Sequence, residues 1–314
     1  RPVNLRWRGP VRVVSRKNKM DLPKQQGLYD PANEHDACGV GFIAHIKGKK
    51  SHDVVTQGLE ILKNLDHRGA VGADPLQGDG AGILIQIPDL LFREEMAKQG
   101  VTLPPPGDYG VGMVFFPREI RLREECREIF NRCAEKLGLE VLAYRKVPVN
   151  PSNVGPTALS VEPEIEQVFI ICPDHINNPV DFERKLFVLR NYASHTINNT
   201  VRKDTIGFYL ASLSYKTVIY KGQLTSTQVR GYFPDLENKR VVSAFGLVHS
   251  RFATNTFPSW KLAQPFRFIA HNGEINTLQG NLNWLKSGEH GFTSPFFSKE
   301  EMEMILPVVT SGQS

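Results

Sequence analysis

The chain lacks any run approaching the ~20 consecutive apolar residues that a helix needs to span a bilayer, and its N-terminus has no apolar h-region of a secretory signal. No membrane partner is expected. Cysteine is scarce, with only Cys38, Cys126, Cys133 and Cys172 in 314 residues, and no Cys-x-x-Cys pair or zinc-type spacing with histidine occurs. A disulfide framework and a metal site are both disfavoured, and a reduced, cytoplasmic setting is expected. Acid is absent from the first 19 residues, where Arg1, Arg6, Arg8, Arg12, Arg16, Lys17 and Lys19 carry seven positive charges. Taking those seven from 38 Lys and Arg leaves 31, against 33 Asp and Glu, so the body is slightly acidic and the net +5 is a property of the tail. A nucleic-acid partner is therefore not expected. The tail reads as a stretch upstream of a start at Met20, or as part of a transit peptide, in which case the location is a plastid.

What the chain does have is globular composition, 40% hydrophobic and 23% charged, with alternating and helical apolar patterns along most of its length. Strands are predicted at 39–46, 82–87, 110–116, 139–147, 166–172, 206–213, 217–220, 241–248 and 266–271. Helices are predicted near 52–65, 89–99, 118–138, 181–197 and 276–287. Leu122, Cys126, Ile129, Phe130, Cys133 and Leu137 recur at helical spacing, which makes both cysteines core residues of one helix face. Many strands adjoin without an intervening helix, which argues against a strict βαβ alternation and for mixed sheets covered by helices. Pro-rich loops at 103–107 and 148–156 are short enough to belong to one domain.

Five patches combine glycine with reactive or polar side chains: Ala37-Cys38-Gly39-Val40-Gly41, His67-Arg68-Gly69, Gly78-Asp79-Gly80-Ala81-Gly82, His249 to Asn255, and His271-Asn272-Gly273-Glu274. The glycines at 78, 80 and 82 have neither the Lys-Ser/Thr end of a P-loop nor the order of a dinucleotide fingerprint, so they supply turns or a close backbone approach. Arg251 follows an apolar strand and is either a structural ion pair or a bidentate clamp for a carboxylate. Asn272-Gly273 is a turn signal that also sets an amide donor beside an unhindered backbone N–H, the pair that a tetrahedral oxyanion requires. A thiol, a guanidinium and paired donors make three parts of an acyl-transfer site. The base is either His67, His249 or His271, or else the α-amine of Cys38 itself, freed by cleavage before it, whose ordinary pKa is about 8.

Taken in order, these motifs make the chain resemble the N-terminal glutaminase domain of glutamate synthase large subunits, class II glutamine amidotransferases of the N-terminal-nucleophile hydrolase superfamily. The resemblance covers about 28–314, and the first segment with Gly78–Gly82 points to this branch; the bacterial type looks nearer than the plant ferredoxin type. It implies an α+β fold, a four-layer αββα sandwich of mixed or antiparallel sheets covered by helices. It also implies hydrolysis of L-glutamine to glutamate and ammonia. Cys38 would be the nucleophile after removal of a leader, residues 1–37, leaving a domain of 38–314. Asn272 and Gly273 would form the oxyanion hole, and Arg251, with Thr254 nearby, would hold the substrate α-carboxylate. In the full enzyme, downstream synthase domains of the same polypeptide would use the ammonia to aminate 2-oxoglutarate. FMN, an iron–sulfur cluster and an electron-donating subunit or protein would take part there, and this chain would carry no cofactor. The alternatives are the glutaminase domain of another class II amidotransferase, or a silent interaction module of the same fold. The uncut chain is expected to be inactive. Because the family places an aspartate for the α-amino group after a Ser-Gly-Gln-Ser-like segment, a domain ending at Ser314 is expected to lack that contact.

Overall fold

The computed structural model describes residues 27, 39–69, 74–201, 207–251, 257–271 and 277–308. By contact density the chain divides into Arg1–Ala37 and a large unit, Cys38–Ser314; the architecture below is that of the large unit.

Among the described residues eight strands form two four-stranded sheets, and every pairing between them is antiparallel. The first sheet contains β1 (Val40–Ala44), β2 (Ala81–Gln86), β7 (Thr217–Gly222) and β8 (Phe245–Ser250), in the order β1-β8-β2-β7. The second contains β3 (Tyr109–Phe116), β4 (Glu140–Lys146), β5 (Glu164–Ile171) and β6 (Tyr209–Ser214), in the order β4-β5-β3-β6. Helix α1 (His52–Asn64) starts where Ser51 accepts a bond from the Val54 N–H, and it lays Val55, Leu59 and Leu62 against the first sheet. Helices α3 (Ile120–Lys136) and α5 (Pro179–Thr200) cover one face of the second sheet, through Cys126, Ile129, Phe130 and Cys133 on one helix and Phe182, Leu186, Leu189 and Ala193 on the other. A second, larger core joins the opposite face of that sheet to the first sheet, α1 and α2 (Asp89–Ala97). The class is α+β, with helices packed on two antiparallel sheets. No parallel pairing of the expected mixed sheets appears among the described strands, because strands that run the same way (β1 and β2, β3 and β4, β5 and β6, β7 and β8) are always separated by an oppositely directed strand.

Burial of a charge in the larger core is offset by a closed polar network. Arg145 donates to both carboxylate oxygens of Asp235 at 2.7 and 2.8 Å and to Gln167 at 2.8 Å, while the Tyr220 hydroxyl donates to Asp235 at 3.0 Å. Arg145 and Asp235 are each only 4% exposed, so each satisfies a charge that would otherwise be stranded.

Three sequence expectations change. Residues 266–271 do not form a strand: the Phe266 N–H donates to the Ile269 carbonyl at 2.8 Å, closing a turn where pairing was expected. The Pro-rich stretch near 148–156 runs into a helix, α4 (Pro156–Ser160), because Pro156 takes the first helical position, where a missing N–H costs nothing. Two further short helices, α6 (Gln228–Tyr232) and α8 (Lys299–Ile305), had no prediction; α8 carries a capping box between Ser298 and Glu301. The predicted helix near 276–287 is α7 (Leu278–Gly288), with no buried residue.

Candidate active site

Antiparallel pairing places the start of β1 and the start of β2 on either side of the end of β8. Val40 and Gly82 both pair with His249, and Ala81 pairs with Ser250. Four of the five glycine-bearing patches therefore share one end of one sheet or a loop directly against it, and the fifth is tied to the same place by hydrogen bonds.

The ties run through three consecutive residues. Ser250 donates its N–H to the carbonyl of Gly39 at 2.8 Å, which sets the residue following Cys38 beside the strand end. Arg251 donates its N–H to the Gly80 carbonyl at 2.8 Å, and its Nη1 reaches the Asp79 carbonyl at 3.3 Å. The ring of His249 bonds through Nε2 to the carbonyl of His271, the residue before Asn272, at 2.7 Å. Gly69, from the His67-Arg68-Gly69 patch, packs so closely on Ser250 that a β-carbon there would lie 2.7 Å from its hydroxyl oxygen.

The electrostatics follow from burial. Arg251 is 7% exposed; desolvation pushes its guanidinium pKa below the ordinary value and the nearby Asp79 opposes that. A buried guanidinium at a strand end is suited to gripping a carboxylate in two-point fashion. His249 is 1% exposed, and burial pushes its pKa down to about 4. A carbonyl can only accept, so Nε2 carries the proton; the unprotonated Nδ1 is buried with no partner. Held in this way, His249 serves as a hydrogen-bond donor to the backbone of His271. His67 stands exposed in the middle of a short helical turn, Asp66–Arg68, with Nδ1 on the Asn64 carbonyl. His271 contributes its backbone to the arrangement.

Of the predicted site residues, Arg251 is described, and Cys38, Thr254, Asn272 and Gly273 lie outside the described residues. The neighbours Gly39 and His271 are described. Three further groups were not anticipated as a set. Gln264, 6% exposed, accepts from the His271 N–H at 3.1 Å and donates to its carbonyl at 3.3 Å. Lys221 is fully buried and donates to the carbonyls of Ala263 at 2.7 Å and Lys261 at 3.1 Å. Asp79 lies within the glycine patch that was singled out for its turns. Nothing in the local sequence marks Gln264 or Lys221: Gln264 acts across a turn on His271, and Lys221 acts on backbone distant in the chain. Cys126 and Cys133, as predicted, are core residues, and burial pushes the Cys126 thiol up to about 12. Among the described residues no group of His, Cys, Asp or Glu is arranged to hold a metal ion, and no helix is long and apolar enough to cross a membrane.

The family model for class II glutamine amidotransferases matches residues 38–314, beginning at the candidate nucleophile. The chain belongs to the class II glutamine amidotransferase family. It is similar to the glutamate synthase [NADPH] large chain of Bacillus subtilis (strain 168), 48% identical over 293 residues, covering 93% of this chain and 19% of that one. It is equally similar to the glutamate synthase [NADH] of Schizosaccharomyces pombe, 48% identical over 298 residues, covering 93% of this chain and 14% of that one. The chloroplastic ferredoxin-dependent glutamate synthase 2 of Arabidopsis thaliana is 42% identical over 284 residues, covering 90% of this chain and 17% of that one. The chain thus spans less than a fifth of the length of each of these relatives.

Proposed function

We propose that this class II amidotransferase chain hydrolyses L-glutamine to glutamate and ammonia, as the ammonia-releasing part of a glutamate synthase. The observation that carries the reading is the convergence at the end of β8. Gly39, Gly69, Gly80 and His271 are all bonded to or packed on His249, Ser250 and Arg251, so the patches flanking the thiol, the guanidinium and the donor pair belong to one place.

In this mechanism residues 1–37 are a leader, and cleavage after Ala37 frees the amine of Cys38. With an ordinary pKa of about 8, that amine is unprotonated often enough at neutral pH to take the thiol proton. The thiolate attacks the carboxamide carbon of glutamine while the Arg251 guanidinium, with Thr254 beside it, holds the α-carboxylate. The Asn272 side chain and the Gly273 N–H receive the oxyanion. Collapse passes the proton to the leaving nitrogen, ammonia departs, and water hydrolyses the thioester to glutamate. While Cys38 remains peptide-bonded its nitrogen is no base, so the uncut chain is inactive.

The ammonia would be consumed by downstream synthase domains in reductive amination of 2-oxoglutarate, with electrons from a separate donor. FMN and an iron–sulfur cluster belong to that chemistry. The described cysteines do not fit a cluster, because Cys126 and Cys133 are turned into the α3 core, and no step here runs through either group. Free thiols at Cys126, Cys133 and Cys172 favour a cytoplasmic location; three plant relatives are named chloroplastic.

The test is intact mass and N-terminal sequencing of the purified protein, followed by labelling with a glutamine-like diazoketone. A chain beginning at Cys38, labelled there, unlabelled as Cys38→Ala and labelled more weakly as Arg251→Lys supports the mechanism. Efficient glutamine turnover by a chain with the Ala37–Cys38 bond intact would refute it.

A further inference from the structure

We propose that His249 and Gln264 are positioning residues that aim the oxyanion donors by clamping the backbone of His271. The inference rests on the glutaminase reading above and adds to it two residues to which that mechanism gives no role.

The carbonyl of His271 and the N–H and Cα of Asn272 lie in one rigid peptide unit. Fixing the direction of that carbonyl therefore fixes where Asn272 begins, and only a few rotatable bonds separate that point from the Asn272 amide and the Gly273 N–H. Two buried donors converge on this single oxygen: Nε2 of His249 at 2.7 Å and Nε2 of Gln264 at 3.3 Å. Gln264 also accepts from the His271 N–H at 3.1 Å, so its amide grips His271 at both backbone groups, as a paired strand would.

A clamp positions only if it is itself held. His249 lies within β8, flanked by Val40 on β1 and Gly82 on β2. The residue before Gln264, Ala263, has its carbonyl held by Nζ of Lys221 at 2.7 Å, and Lys221 pairs with Gly82 on β2. The hydrogen bonds that fix His271 thus trace back to the strands of one sheet, the same sheet whose ends present Gly39 and Arg251. The histidine suits the task for a further reason. Its Nδ1 is enclosed without a partner, so a second proton would be stranded there, and the ring remains a neutral single donor across the working pH range.

Aiming the oxyanion donors and binding the substrate fall to different residues. Substrate recognition through Arg251 does not pass through His271, so loss of the clamp should weaken stabilisation of the tetrahedral species and leave ground-state binding intact. Misaiming one oxyanion donor costs on the order of ten- to a hundredfold in kcat.

The experiment uses the processed protein and compares wild type with His249→Leu, His249→Gln, Gln264→Leu and Gln264→Glu. It measures kcat and KM for glutamine, the affinity for the γ-aldehyde analogue of glutamine, which adds the thiol to give a tetrahedral hemithioacetal, and the affinity for glutamate, which does not. For the two Leu variants we expect kcat to fall about ten- to a hundredfold with KM within about threefold, aldehyde affinity to fall in step with kcat, and glutamate affinity to hold. Because a glutamine side chain can present an N–H near the position of Nε2, His249→Gln should recover most of the loss; Gln264→Glu, which cannot donate, should not. Equal loss of aldehyde and glutamate affinity, or kcat within about threefold of wild type in all variants, would overturn the clamp. If the Leu variants do not fold, the His249→Gln against Gln264→Glu contrast decides alone, and no difference between them overturns the proposal. A wild-type processed protein that neither hydrolyses glutamine nor takes up the diazoketone would instead sink the glutaminase reading, and this inference with it.

Discussion

Replacing Gly80 by alanine tests whether the glycine-rich turn before β2 is a fixed part of the site. Gly80 has φ +130°, a conformation that residues with a β-carbon rarely adopt. Holding alanine there costs about 1–3 kcal/mol. A β-carbon would also lie 2.8 Å from Cβ and 2.9 Å from Cα of Ala263, too close for either atom to stay put. Relief of that overlap has to move Ala263, whose carbonyl is held by Lys221, or Gly80, whose carbonyl receives the Arg251 N–H. Overpacking of this kind adds about 1–3 kcal/mol. The two terms together give a loss of about 4 kcal/mol, a large part of the ~5–15 kcal/mol that holds a domain folded. Gly100 is the matched control: φ is +74° and nothing stands within 4 Å of the β-carbon position, so Gly100→Ala meets the backbone term alone, about 1 kcal/mol. Urea denaturation followed by circular dichroism measures both, with an unchanged m-value confirming that the midpoint shift is a stability change. Equal losses at the two positions, or a loss below about 1 kcal/mol at Gly80, would mean that the contact with Ala263 is not a constraint and that the turn is free to adjust.

Asp235→Asn leaves the buried Arg145 guanidinium with one neutral acceptor in place of a bidentate carboxylate and should cost about 3–5 kcal/mol in chemical denaturation; adding Arg145→Met should recover much of it, and strictly additive losses would show that the pair is not coupled. The pH dependence of stability should carry a signature of His249. The unfolded ring takes a proton near pH 6.5 and the folded one only near 4, so unfolding takes up a proton between those values and stability falls as pH falls through that window, by at most about 3 kcal/mol. Denaturation midpoints at pH 7, 5.5 and 4.5 should show a shallower acid decline for His249→Gln than for wild type.

Most of the fold was legible because most of its elements declare themselves locally. Continuous apolar stretches such as Tyr109–Phe116 and helical stripes such as Cys126, Ile129, Phe130 and Cys133 are recognisable within a few residues of their ends. The failures have a common physical origin. The turn at 266–271 is apolar enough to imitate a strand, but its backbone bonds to the Gln264 and His249 side chains and to itself. The short helices α4, α6 and α8 contain too few residues to show a period. That all strand pairings are antiparallel was not available from periodicity at all, since a buried strand reads alike whichever way its neighbour runs.

The site was legible in a different manner, as a set of patches whose meeting the sequence alone did not explain. The explanation is the direction of three strands. Patches that open β1 and β2 and a patch that closes β8 meet only if β8 runs antiparallel to both and lies between them, as the order β1-β8-β2 requires. A parallel neighbour would carry Gly39 or Gly80 to the far end of β8, roughly 17 Å away over a six-residue strand at ~3.3 Å per residue. Register matters as much as direction. His249 and Val248 point to opposite faces of the sheet, so a slip by one residue would send the apolar Val248 out of the core and turn His249 away from the His271 carbonyl. The hydrophobic pattern that holds Val248 inside is therefore also what aims His249, and a substitution that loosens the packing of Val248 against α1 should be felt first at the oxyanion turn.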